Sequence, residues 1–141
     1  MDASPIDYIM RNKLRFGQLD GSYSVCRLPG DTNLPDWVGR SAVSALLRSR
    51  DELSILVSSD VVPRGVEAQH GFAGFRIVGT LAFSEIGIIS EVTDVLASMK
   101  VPVFVVSSFD TDYFFVPAEL FRSAADALVA RGHDFGDSIP A

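Results

Sequence analysis

The sequence is poor in the residues that serve disulfide, metal and membrane chemistry. A single cysteine, Cys26, occurs in 141 residues, which excludes an intrachain disulfide and a cysteine-rich metal site and fits a reducing compartment. Histidine is nearly as scarce. His70 and His133 are the only two, and neither has a Cys, a His or a carboxylate at ligand spacing along the chain. Apolar runs are short; residues 101–106 form one of the longest, far below the roughly 20 needed to span a bilayer. The start, Met-Asp-Ala-Ser-Pro, has no basic stretch followed by an apolar one, so a signal peptide is not expected and the expected location is cytoplasmic. Basic residues are outnumbered, 12 Lys and Arg against 18 Asp and Glu, for a net charge of -6. That acidity spreads over both halves and repels phosphate backbones and anionic headgroups, so neither nucleic acid nor membrane is an expected partner. No Gly-x-Ser-x-Gly elbow and no phosphate-binding Gly-x-x-x-x-Gly-Lys-Ser/Thr loop is present, and no nucleophile–base or metal constellation argues for an enzyme. No cofactor is expected.

What is abundant is apolar bulk. Hydrophobic residues make up 48% of the chain and ten are Phe, enough for one compact domain or two small modules sharing a core. Along the first half, residues 14–28 contain two extended stretches flanking Asp20-Gly21, which predicts a tight hairpin. Asp36 to Arg48 carries Trp37, Val38, Val43, Leu46 and Leu47 in a moderate helical pattern interrupted by Gly39, and Leu53 to Val57 predicts a buried strand. Pro63, Gly65, Gly71 and Gly74 mark Ser58 to Gly74 as a connector.

The second half is more regular. Phe75, Ile77, Gly79 and Leu81 alternate with Arg76, Val78 and Thr80, which predicts a strand. Ile88, Ile89, Val92, Val95, Leu96 and Met99 recur at three-to-four spacing, with Glu91 among the residues between them, and predict the clearest helix. Ser84 is its expected N-cap, and Glu85 complements the dipole of its first turn. Lys100 closes the helix and Pro102 prevents its continuation. Residues 101–107 and 113–116 read as strands. A helix follows from Pro117, ended by Gly132, and His133 to Phe135 is a candidate final strand. The order from Phe75 onward is β-α-β-β-α-β, and two open sheets side by side would accommodate both halves.

Three features carry chemistry. The turn Phe83-Ser84-Glu85-Ile86-Gly87-Ile88 opens a helix, where unpaired backbone N–H groups and the helix dipole suit a carboxylate. Gly87 is open to two uses, close packing of the helix on its sheet or close approach of a ligand to the backbone. Asp112, in Ser107-Ser108-Phe109-Asp110-Thr111-Asp112-Tyr113, borders a very apolar strand and wants a partner, which could be a ligand cation, Arg76 or a backbone N–H. Asp51-Glu52-Leu53-Ser54-Ile55 places Ser54 on one face of a strand. His70 to Phe75 has a faint likeness to the aromatic strand of RNA-recognition domains, but its spacing is off by a residue and the acidic balance opposes it.

Together these segments resemble the ACT family, in particular small bacterial tandem-ACT proteins related to CASTOR-type arginine sensors and the regulatory end of aspartate kinase. The resemblance rests on Asp51 to Ile55, on Phe83 to Ile88 and on Ser107 to Tyr113, and covers about residues 14–134. It implies an α+β, ferredoxin-like fold of tandem ACT modules (βαββαβ), with antiparallel sheets and helices on one side. The modules would be residues 10–70 and 71–141. It also implies a non-catalytic amino-acid-binding regulatory or sensor protein, with the ligand at the interface of the modules. Ser84, Glu85, Ile86 and Gly87 would hold the ligand's polar end, Ser108 and Phe109 would border it, Asp112 would meet a cationic group, and Ser54 would contribute from the first module. The implied partners are a small-molecule amino acid, a second copy of the chain in a homodimer, and a separate regulated protein. The alternative is an ACT-like interaction or dimerisation protein that binds no ligand.

Overall fold

A computed structural model describes residues 13–79 and 86–136. Among the described residues, one sheet of eight strands carries the fold. The strands are β1 (Arg15–Gln18), β2 (Tyr23–Leu28), β3 (Ala45–Arg48), β4 (Leu53–Ser58), β5 (Ala68–Ile77), β6 (Phe104–Ser107), β7 (Asp112–Pro117) and β8 (Asp134–Phe135). Two helices, α1 (Ile88–Ser98) and α2 (Phe121–Ala130), follow β5 and β7.

The organising element is β5, ten residues long. On one edge it pairs with β2 through its first residues and with β1 through its last, both antiparallel. On the other edge it pairs with β7, which pairs with β6. Outward from β2 lie β4 and then β3, and outward from β1 lies β8, in parallel. The second-half strands form the β-α-β-β-α-β order expected, with β1 inserted between β5 and β8. Because both halves share β5, the strands make one continuous sheet and not two.

This arrangement corrects three local expectations. Gly21 does adopt a positive φ of 82°, but no hairpin forms at Asp20-Gly21. β1 and β2 run in the same direction along β5, and residues 20–22 are an excursion between them. Asp36 to Arg48 is no helix. A single 3-10 turn, Asp36–Arg40, precedes strand β3. Ser58 to Gly74 is a connector only in its first part, since the strand already starts at Ala68.

The helices cover one face of the second half. Ile88, Val92, Val95 and Leu96 of α1 and Ala124 and Leu128 of α2 pack on Phe16, Phe75, Ile77, Phe114 and Val116. Phe75 lies 5.6 Å edge-on from Phe16 and 5.2 Å stacked on Phe114, geometries that add to area burial. Each helix ends in the same way. Lys100 (φ 57°) and Gly132 (φ 106°) are left-handed, and Val101 and His133 N–H donate back to Leu96 and Leu128 carbonyls, a Schellman closure. In the first half, strands β2 and β4 bury Cys26, Leu53, Ile55 and Val57 beneath Trp37, Val38 and the 61–66 segment. Among the described residues, no α-helix covers this part.

The opposite face is closed by the sheet itself. Leu56 of β4 and Phe115 of β7 belong to strands that share no hydrogen bonds, yet they join one cluster with Leu19 and Tyr23. The two wings, β2–β4–β3 and β7–β6, therefore curl toward each other on either side of β5. Gly74 sits at the fold of this curl, where a Cβ would lie 2.6 Å from Phe115 Cε1 and 2.9 Å from Leu19 Cδ1.

Candidate functional site

Gly87 opens α1. It occupies the N-cap position in the left-handed region, φ 82°, where a side chain would be strained, and its carbonyl accepts the Glu91 N–H at 2.9 Å. Ser84, expected as the cap, and Glu85 lie outside the described residues, and the cap position belongs to Gly87. A helix beginning here leaves its first-turn amides without partners inside the helix, and Glu91 of that turn reaches His133, which is bonded to Leu14 just before β1. Ile86, beside Gly87, is exposed.

Asp112 starts β7 where β5 finishes. Arg76 of β5 stands opposite Tyr113, Thr111 Oγ1 donates to the Ile77 carbonyl at 2.7 Å, and Asp112 stands opposite Ser107 of β6. Strand alternation puts Asp112 on the face of Phe114 and Val116, the face the helices cover. Arg76 alternates with Phe75 and Ile77 of that face and so projects to the other side, which removes it as the internal counter-charge considered from sequence. The carboxylate is half-buried.

The remaining expected residues divide differently. Ser108 closes the β6–β7 turn: its N–H and hydroxyl donate to the Thr111 carbonyl at 2.8 and 2.9 Å. Phe109, at the tip, is 79% exposed. Ser54 lies on β4 on the face of Leu56, away from the helices, and its hydroxyl donates to Glu52 Oε1 at 2.6 Å. Ser54 and Ser108 both line a cleft between the wings. One lobe, about 270 Å³, is bordered by Val25, Leu46, Ser54 and Phe104. The other, about 280 Å³, is bordered by Val43, Ser108, Tyr113 and Phe115. Ala45, Leu56 and Val106 belong to both. Gly87 and Ile86 thus open one of the helices that cover the face on which Asp112 lies, whereas Ser54 and Ser108 line the cleft behind it.

Two polar clusters escaped the sequence reading. Glu91, placed there among the residues between apolar positions, is buried on α1. Its Oε1 lies 3.3 Å from Arg131 Nε and 3.5 Å from His133 Nε2. His133 Nδ1 accepts the Leu14 N–H at 3.1 Å, so the imidazole ties β1, the end of α2 and the first turn of α1. The other histidine, His70, has Nδ1 2.7 Å from Ser24 Oγ, which is also 2.7 Å from Ser59 Oγ. Ser24 is fully buried, so this serine–histidine contact fastens β2 to β5 and offers no accessible nucleophile. Cys26 is buried too, and burial pushes its thiol pKa up, which suppresses the reactive thiolate. Among the described residues, no cluster of three or more His, Cys, Asp or Glu could hold a metal ion, and no helix is long and apolar enough to cross a membrane.

Comparison with known proteins fits this geometry. Residues 67–130 match the model of the ACT domain, and residues 21–65 match a second model described as an N-terminal domain. A crystal structure of an Agobacterium tumefaciens protein superposes with a TM-score of 0.85 at 31% identity, covering 91% of this chain and 96% of that one. A Vibrio cholerae protein of unknown function, described as a possible transport protein, gives 0.75 at 18% identity over 92% and 100%. The ligand-free regulatory subunit of aspartate kinase from Thermus thermophilus gives 0.58 at 17%, over 82% and 95%, a likeness of fold. No curated protein matches the sequence. The fold is α+β and ferredoxin-like, of the ACT type. The chain belongs to the family of the Agobacterium protein and carries an ACT domain at residues 67–130.

Proposed function

We propose that this chain is a non-catalytic regulatory protein that binds a free amino acid where α1 begins. The observation that supports this reading is that left-handed Gly87 opens a helix covering the face on which the Asp112 carboxylate lies. A zwitterion needs donors for its carboxylate and an acceptor for its ammonium group. The first-turn amides of α1 supply the former, the Asp112 carboxylate the latter, and Ile86 and Phe109 would border the ligand. Ser84 and Glu85, just before Ile86, are proposed to add contacts at the same place. Ser54 and Ser108 line the cleft on the other face, so their contribution to this site is not proposed. The tandem reading, with modules at 10–70 and 71–141, a homodimer, a separate regulated protein and a cytoplasmic setting, belongs to the same proposal.

Thermal-shift measurements across the free amino acids test it. A ligand at a hundred times its Kd stabilises by about 2.7 kcal/mol, which for a domain of this size raises Tm by about 5–10 °C. Asp112→Asn removes a charge-assisted contact worth about 1.5–3 kcal/mol and should weaken binding of that amino acid at least about tenfold by calorimetry. Unchanged affinity would take Asp112 out of the site. A second reading, an interaction protein without a ligand, is favoured by the exposed apolar strands β3 and β6, where Leu46, Leu47 and Phe104 meet solvent. Silence of the whole amino-acid panel at millimolar concentration selects that reading.

A further inference from the structure

We infer that the cleft between the two wings is a second binding site, distinct from the one at Gly87 and Asp112, and that its ligand is a small neutral apolar molecule carrying an N–H or O–H donor. The shape follows from the curl of the sheet. Leu56 of β4 and Val106 of β6 face the same space from opposite wings, with Ala45 between its two lobes. Each lobe is about 270–280 Å³, near the lower end for a small-molecule site and large enough for a single aromatic or branched aliphatic body.

The chemistry of the walls fixes the class. None of the described residues lining either lobe is charged. A free amino acid placed here would lose hydration from a carboxylate with no cation to replace it, a cost of several kcal/mol. The polar side chains that do line it are hydroxyls, those of Ser44, Ser54, Ser107, Ser108 and Tyr113, and in each lobe one has its proton already committed. Ser54 donates to Glu52 Oε1 and Ser108 to the Thr111 carbonyl, so each presents oxygen lone pairs to the cleft and accepts. A ligand complementary to this wall is apolar in body, uncharged, and itself a donor.

Indole is a probe of that class, with a flat apolar body and one N–H. In a two-dimensional amide NMR titration of the full chain, indole should saturably shift resonances of Ala45, Leu47, Leu56 and Val106, while those of Gly87 stay in place. Ala45→Phe fills the junction of the lobes and should weaken binding at least tenfold. Leu47→Glu, at a position 65% exposed and therefore mild for folding, puts a charge on the rim and should also weaken it. Asp112→Asn should leave indole binding unchanged, so failure of the amino-acid proposal and failure of this one are separately visible. No saturable shift at millimolar indole, or equal affinity in both cleft variants, overturns the inference. So does sedimentation showing a dimer that Leu47→Glu dissociates, because the cleft is then an interface between copies.

Discussion

The two halves of the molecule cover the same sheet by different means. Residues 67–130 roof it with two amphipathic helices, whose buried faces repeat at helical spacing. Residues 21–65 roof it with two short 3-10 turns, Asp36–Arg40 and Ser59–Val61, and irregular chain around Trp37, Val38, Val61 and Val62. Both roofs exclude water from strands with fully buried side chains, such as Phe75 in one half and Ile55 in the other. What differs is whether the cover has a period. A periodic roof announces itself in sequence; an aperiodic one of equal burial does not.

β5 makes the comparison sharp, because it belongs to both halves. Phe75→Ala removes the aromatic at the centre of the helix-roofed core and should cost about 3–5 kcal/mol. Ile55→Ala, in the half without helices, should cost about 2–5 kcal/mol. Trp37 is the single tryptophan and lies in the first half, whereas both α-helices lie in the second. Tryptophan emission and far-UV circular dichroism therefore report separate halves of one chain. In denaturant melts of either variant the two signals should move together. A Trp37 transition that precedes helix loss in Ile55→Ala would show that β5 does not couple the halves.

How much was legible follows the same division. Helix α1 spans Ile88–Ser98 as its apolar spacing predicts, α2 is found after Pro117, and β4 and β7 fall where β-branched and aromatic runs place them. β3 is hidden because Leu46 and Leu47 stand at helical spacing from Val43, although the strand is an exposed edge with no single buried face. At Asp20-Gly21 the turn chemistry was right and the topology wrong. The long edge of β5 accepts two strands in line, which no local signal encodes. For the candidate site, Gly87 and Asp112 could be singled out because a helix start and a carboxylate beside an apolar strand are local features. The separation of Ser54 from them depends on which face each strand presents, and the contact of Glu91 with His133 joins positions far apart in the chain.

A smaller effect tests the curl between the wings. Gly74→Ala places a methyl group against Phe115 and Leu19, and overpacking of this kind costs about 1–3 kcal/mol. Phe115 is a ring fixed in the core against Tyr23, 5.2 Å between centroids, so it cannot simply swing aside. If the wings were loosely joined, Gly74→Ala would instead be neutral in a urea melt. A neutral result would also remove the packing that shapes the cleft.

The smallest effect is in pH and again sets the two faces of the sheet apart. Tyr23 faces the curl and Cys26 faces the roof of the first half, and burial raises the pKa of each above its ordinary value, 10.0 and 9.0. For Tyr23 burial is the largest cause; the nearby Ser58 opposes it, and the neighbouring Asp20 adds to it. Because the folded state holds both protons more tightly than the unfolded chain, their contribution to stability is complete below pH 9 and declines as pH rises through the ordinary values toward the folded ones. Urea midpoints should therefore be flat with respect to these two groups near neutrality and fall above pH 9. Cys26→Ser removes the thiol's share, and the decline should then begin about one pH unit later, at the tyrosine's ordinary value. An unchanged onset in Cys26→Ser would assign the alkaline loss to Tyr23 and the curl alone.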